Sequence, residues 1–357
     1  MQRKNQQSKN PLWNKDYILL LIVNAVAFLS FQILQPLVPV YGLSFSATES
    51  QLGFLSASIA TAALIMRPVS GSLADRKNNK IIIFLGQLGM SAVIITFIFA
   101  PNIGVLILSR FFHGLFFGLS STVVTVAAVR VMPEEQIGRG VGLISITGLA
   151  SLAVAPAIGL WISGIWGYPV LFIFTSAISV GAAVLALALT PKAAEPPNTK
   201  KSGISKISIK DFIAFEALGL TGLIIIFTGS TGTITNFLVV FANTRGIENI
   251  GLYFTIYALV LVGARLLGSG FIDRYSYRLL IPICAALCTC AMGIIGSSHS
   301  FPPLCAASAM ENVPDNYQAA GLSEDDLMLI TQADETYAVR FKLAEWAGGV
   351  KNWFMKK

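Results

Sequence analysis

Nine apolar runs, each long enough to cross the hydrocarbon core of a bilayer, leave this chain little choice but a bundle of membrane helices. They fall at roughly residues 17–41, 50–72, 80–100, 103–130, 140–164, 169–190, 218–243, 249–271 and 279–300. Only 12% of the residues are charged and the mean hydropathy is +0.70, which excludes a water-facing surface. The net charge of +7 does not mark a nucleic-acid partner, because the cations are spread over short loops between spans. Arg76, Lys77, Lys80, Arg130, Arg139, Arg274 and Arg278 fall on one side, and the opposite loops before the tail offer only Arg245. By the positive-inside rule the N-terminus is cytoplasmic in a multi-pass protein of the plasma membrane. The first run is too long for a signal peptide and lacks a cleavage site, so it reads as an uncleaved span.

The charged hinge between the second and third spans, Gly71-Ser72-Leu73-Ala74-Asp75-Arg76-Lys77-Asn78-Asn79-Lys80, is the most specific motif. Gly71 admits a close neighbour. Asp75 sits at a helix C-terminus, where the helix dipole disfavours a carboxylate and calls for an outside partner. The hinge resembles the helix 2–3 loop of the major facilitator superfamily, Gly-x-Leu-Ala-Asp-Arg-x-Gly-Arg-Lys. Gly71, Leu73, Ala74, Asp75, Arg76 and Lys80 match, while Asn78 and Asn79 stand where that pattern has Gly and Arg. The hinge also repeats within the chain. A shift of roughly 198 residues lays Leu52-Gly53 on Ile250-Gly251, Arg67 on Arg265, Asp75-Arg76 on Asp273-Arg274 and Lys80 on Arg278, as in transporters built from two related halves. Arg67 and Arg265 read as cations snorkelling to the interface.

Three further stretches carry the resemblance. Pro36 and Pro39 in the first span free backbone carbonyls and bend the helix, a feature tolerated where a helix lines a cavity. The fourth span holds Leu106-x-x-x-Arg110-x-x-His113-Gly114-x-x-x-Gly118, similar to the superfamily pattern Leu-x-x-x-Arg-x-x-Gln-Gly with His113 in place of Gln. A cation inside a membrane needs polar partners, so Arg110 is a functional candidate by default. His113 reads as a neutral hydrogen-bonding group, and Gly114 and Gly118 as a strip for close helix contact. In the fifth span Gly142, Ser151, Ala155, Pro156 and Gly159 fall at the spacing of the antiporter signature Gly-x8-Gly-x3-Gly-Pro-x2-Gly, with Ser151 and Ala155 replacing glycines. This strip is expected to pack on the opposite half, and Pro156 to bend the helix.

The resemblance implies an all-α membrane protein of the major facilitator type, with a complete first six-helix half and an incomplete second half. The expected organisation is a cytoplasmic N-terminus at 1–16, a first bundle at 17–190, a cytoplasmic linker at 191–213 and helices 7 to 9 at 214–304. A polar tail at 305–357 carries one amphipathic helix. The linker reads either as a plain solvated segment or as one lying partly on the membrane surface. The resemblance is expected to end at Ser300, with Pro302-Pro303 marking the change. Asp273 would find its partner near Arg139 to Gly142, and Asp75 would have none unless Arg130 serves.

The implied activity is efflux of a small amphipathic molecule or drug by alternating access, coupled to proton antiport. The alternative is a non-transporting membrane protein that associates with a full-length relative; the expected partners besides the bilayer and a small-molecule substrate are a second copy in a homo-oligomer or a complementing chain. Arg110, His113, Asn24, Gln32 and Gln35 are the candidate substrate or coupling residues. Gly71, Asp75, Arg76, Lys80, Asp273, Arg274, Arg130 and Arg139 form the candidate conformational latch. Pro36, Pro39, Gly114, Gly118, Gly142, Ser151, Ala155, Pro156 and Gly159 are the candidate packing and hinge positions. No Asp or Glu lies well inside a span, so a coupling proton has no obvious carboxylate carrier. Metal spacing, a phosphate-cradling loop and a nucleophile constellation are all missing from the sequence, so neither a cofactor nor an enzymatic reaction is expected. The four cysteines are read as packing residues without function.

Overall fold

Polar residues placed just ahead of the apolar runs start the helices of the first unit. Asn14 accepts from the Tyr17 N–H, Asn78 from Ile81 and Asn102 from Val105, each side chain meeting a backbone donor that the helix leaves free. Thr48 and Gln51 close a reciprocal capping box. The computed structural model describes residues 12–133, 136–190, 218–247, 250–257, 259–260 and 277–320, and the described regular elements are all helices. In order they are α1 (Lys15–Leu34), α2 (Leu37–Leu43), α3 (Glu49–Arg76), α4 (Asn79–Thr96), α5 (Ile103–Val131), α6 (Ile137–Ala186), α7 (Leu218–Thr244), α8 (Tyr277–Ser297) and α9 (Phe301–Ala320).

Among the described residues five stretches are long and apolar enough to cross a membrane: Lys15–Leu43, Glu49–Arg76, Asn79–Thr96, Ile103–Val131 and Ile137–Ala186. The last is two spans in succession, because Gly167 leaves the helix at φ +78° immediately before Tyr168-Pro169. The first is bent where Gln35-Pro36 separates α1 from α2, while Pro39 sits inside α2 without breaking it. The six spans expected of the first half are therefore present.

The chain divides into two compact units, Met1–Pro197 and Asn198–Lys357. In the first, α1 packs on α6, α3 on α5, and α4 on both α5 and α6. Small hydroxyl and amide groups join these helices from within. Ser30 Oγ and Ser179 Oγ are 2.6 Å apart, Ser91 and Ser176 share a 2.7 Å bond, and Gln87 Nε2 donates to Ser120 Oγ at 2.7 Å. Such bonds suit an interior where lipid gives apolar side chains no reason to prefer each other. The apolar side chains that point outward, among them Phe54, Leu64, Ile65 and Trp161, are the surface a hydrocarbon solvent would meet.

In the second unit α8 packs on α9, and both touch α7. Residues 251–257 are helical, and Arg245 donates to the Ser298 carbonyl at 2.7 Å while its guanidinium lies 4.4 Å from the centre of the Phe241 ring. Pro302 and Pro303, read from sequence as marking the end of the resemblance just ahead of the tail at 305–357, occupy the first turn of α9. Proline is tolerated there because the first helical N–H groups have no partner to lose. Asp273, Arg274, Arg265, the linker and the amphipathic stretch near the C-terminus lie outside the described residues.

Candidate functional site

Arg110 is placed by the glycine strip of its own helix. A Cβ on Gly114 would stand 2.3 Å from the Ile59 carbonyl oxygen, and one on Gly118 would stand 2.7 Å from that of Ala63. Hydrogen is the only side chain that lets α5 lie this close to the α3 backbone. This contact fixes α5 against α3, and Arg110, 1% exposed, turns toward the end of α1.

There its guanidinium meets neutral partners. Nη2 donates to Gln35 Oε1 at 2.5 Å and to the Leu34 carbonyl at 3.5 Å, and Nη1 donates to His113 Nδ1 at 3.2 Å. Leu34 is the last residue of α1, so its carbonyl is among those that an ending helix leaves without an intrahelical donor, and the chain bends at Gln35-Pro36 just after it. The proline bend and the buried cation thus complete each other. Among the described residues Arg110 has no carboxylate partner.

His113 is fully buried between the rings of Phe31, at 6.0 Å, and Phe97, at 5.9 Å. A guanidinium only donates, so Nδ1 must accept, and a neutral ring then carries its proton on Nε2. That Nε2 has no hydrogen-bond partner among the described residues. Phe31 stacks on Phe117 with centroids 3.8 Å apart, closing an aromatic wall beside it.

The other candidate residues are distributed differently. Asn24 turns toward α6, where its amide nitrogen donates to Thr147 Oγ1 at 2.8 Å and to the Ile144 carbonyl at 3.2 Å. Gln32 is half-buried and makes no side-chain hydrogen bond among the described residues. Of the three polar side chains singled out on the first span, Gln35 is the one brought to Arg110.

At the α3–α4 hinge, Arg130 supplies the partner that Asp75 needed. Its Nη2 lies 3.0 Å from Asp75 Oδ1 and donates to the Ala74 carbonyl at 3.1 Å. With the Asn79 amide nitrogen turned to the Ala74 oxygen at 2.9 Å, the Asn79 oxygen accepts from Arg130 Nη1 at 2.6 Å. Asn79, which stands where the superfamily pattern has Arg, is thereby an acceptor in this cluster rather than a second cation. Lys80 Nζ reaches the Leu189 carbonyl at 3.5 Å, and Arg76 and Arg139 are exposed.

In the fifth span, Ser151 Oγ donates to the Ala25 carbonyl at 2.9 Å, and a Cβ on Gly159 would stand 2.5 Å from Leu37 Cδ1. Ala155 and Pro156 are buried. Sequence reading assigned this strip to a contact with the opposite half. Its described contacts at Ser151 and Gly159 lie on α1 and α2 of the same unit, where small residues allow the helices to cross. Gly142 and Gly71 have nothing within 4 Å of a would-be Cβ among the described residues.

Sequence reading passed over Asp16. Buried at the start of α1, it accepts from the Thr190 N–H at 3.0 Å and from the Thr190 hydroxyl, tying the first span to the end of the sixth. The available signal was an acid in the first turn of a helix, where the dipole favours negative charge. Tyr17, whose hydroxyl donates to the Gly140 carbonyl at 2.9 Å, and the Gln87–Ser120 pair were also missed.

The sequence profile of the Major Facilitator Superfamily matches residues 20–310, past the expected end at Ser300. The quinolone resistance protein NorA of Staphylococcus aureus is 28% identical over 194 residues, which cover 54% of this chain and 49% of NorA. The multi-drug resistance efflux pump PmrA of Streptococcus pneumoniae is 26% identical over 209 residues, or 57% of this chain and 52% of that protein. The chain therefore spans about half the length of the curated relatives it matches. Among solved structures, a bacterial homolog of the human lysosomal transporter Spinster superposes with a TM-score of 0.65 at 16% identity, covering 95% of this chain and 79% of that one. The nucleoside transporter NupG gives 0.65 at 15%, over 96% and 88%.

Proposed function

The chain belongs to the major facilitator superfamily, a family of membrane transporters, and from that premise we propose that it exports a small amphipathic molecule by alternating access. The observation that carries this reading is Arg110, a buried cation held by Gln35, His113 and the Leu34 carbonyl with no counter-charge among the described residues. A membrane protein retains a desolvated charge at a cost, and a transport pathway is the usual reason for it. The resistance and efflux functions named for NorA and PmrA support the choice of export and of a drug-like substrate.

In this reading Pro36 and the glycine strips shape the moving helices, and the Asp75–Arg130–Asn79 cluster holds the α3–α4 hinge on the cytoplasmic face of the plasma membrane. Asp273 and Arg274 are the corresponding latch of the second half. Proton coupling is the finer part of the proposal. Since no carboxylate lies well inside a span, an exchanged proton has no acidic side chain to ride on, and facilitated diffusion is the competing mode.

Uptake of ethidium into inverted vesicles containing the chain, with and without an imposed pH gradient, tests the reading. Gradient-driven accumulation lost in Arg110→Ala supports coupled export. Equilibration indifferent to the gradient leaves transport and removes the coupling. With the protein folded in the membrane, no movement of the dye overturns transport by this chain alone and favours the reading in which a second copy or another chain completes the pathway.

A further inference from the structure

Next to Arg110 the structure leaves one buried donor unused. The bond from Arg110 Nη1 occupies His113 Nδ1 as acceptor, which puts the proton of the neutral ring on Nε2, and Nε2 is enclosed with no partner among the described residues. A buried N–H without an acceptor forfeits the hydration it had in water, and interiors rarely keep one without a use. The phenyl rings of Phe31 and Phe97 flank the imidazole and offer no acceptor of ordinary strength. The guanidinium one turn away is a second donor group whose charge is unneutralised among the described residues.

Resting on the transport reading above, we propose that His113 is a specificity-determining residue for substrates bearing a carboxylate or carbonyl oxygen. Arg110 locks the imidazole in its Nε2–H tautomer, and that N–H meets the substrate's oxygen while the guanidinium supplies the neighbouring positive charge. Glutamine at this position would offer the same two functions, an oxygen to accept from Arg110 and an N–H to donate. An aliphatic side chain would offer neither. A cationic dye without an acceptor oxygen gains no direct bond from His113, so the residue separates two substrate classes beyond its part in holding Arg110.

The test uses the full chain in proteoliposomes with two fluorescent probes, ciprofloxacin, which carries a carboxylate and a ring carbonyl, and ethidium, which carries neither. His113→Leu removes a partner of Arg110 for both probes, and should weaken ciprofloxacin binding about tenfold more than it weakens ethidium binding, the equivalent of one buried hydrogen bond. His113→Gln should restore ciprofloxacin binding to within about threefold of the parent. Equal loss of both probes in His113→Leu would mean that the ring acts only by holding Arg110, and would overturn the proposal. Transport of ethidium by the parent chain without ciprofloxacin binding would overturn the substrate class while leaving transport intact. Failure to move either probe would sink both readings together.

A second measurement is independent of transport. The chain has only two histidines, so a His299→Gln variant labelled with 15N-histidine reports on His113 alone. The expected spectrum is a neutral ring protonated on Nε2, whose resonance shifts on adding ciprofloxacin and not on adding ethidium. A ring protonated on Nδ1 would overturn the lock by Arg110.

Discussion

Arg130 and Asp75 join the ends of two helices, with Arg130 Nη2 3.0 Å from Asp75 Oδ1, yet the ion pair is not the strongest part of that junction. The Asp75 side chain is 42% exposed, and a pair so open to solvent contributes about 0–1 kcal/mol. The same guanidinium also serves the Ala74 carbonyl and the buried Asn79 oxygen, which water does not reach. Asp75→Asn is therefore expected to lower thermal stability in detergent only slightly. Arg130→Leu, which removes the donor to the buried Asn79 oxygen and to the Ala74 carbonyl, should cost about 1–3 kcal/mol. Parallel melting curves of the two variants check this, and equal losses would contradict it.

Gly114 of the fourth span and Gly142 of the fifth should respond in opposite ways to the same methyl group. Gly114→Ala puts a carbon against the Ile59 carbonyl and is expected to cost about 1–3 kcal/mol, because a backbone atom cannot swing aside. Gly142→Ala meets nothing among the described residues and should melt with the parent or slightly above it.

Asp16 gives a local prediction. With its carboxylate gone, the Thr190 amide loses its acceptor, so Asp16→Ala should speed hydrogen exchange at Thr190 about tenfold or more. Exchange at the core amides of α5 should change much less. Thr190→Val removes only the hydroxyl donor and should have a smaller effect at that amide.

The two glutamines of the first span provide a paired control for the site. Gln35→Ala removes the 2.5 Å acceptor of Arg110 and is expected to reduce ethidium uptake about tenfold. Gln32→Ala, one turn earlier and without a side-chain bond among the described residues, should stay within about twofold of the parent. Uptake rates normalised to the protein inserted in the membrane decide between them.

Length and apolarity made the spans legible, and the bend at Pro36 and the tight strip at Gly114 and Gly118 followed from residue type. The azimuth of each helix was not legible. A span that is apolar on all sides gives no stripe to say which face is inward, so Asn24, Gln32 and Gln35 looked alike as candidates. Packing turned Asn24 to Thr147 and Gln35 to Arg110. The partner of Asp75 was open in the sequence because Arg130 lies at the far end of another span, and only the close approach of α5 to α3 brings the two together. Asp16 was hidden by its position, since the last charge before a span reads as solvated unless the end of the sixth span is known to pass beside it.

Gly167 separates the fifth and sixth spans by a single residue outside helical geometry, with a φ of +78° that glycine reaches without strain. A joint this short has no slack. A tilt of the span carrying Ser151 and Gly159 must be taken up either as torsion at that one residue or as an equal displacement of the span carrying Thr175 and Ser179, so the two cross the membrane as a geared pair rather than as independent rods.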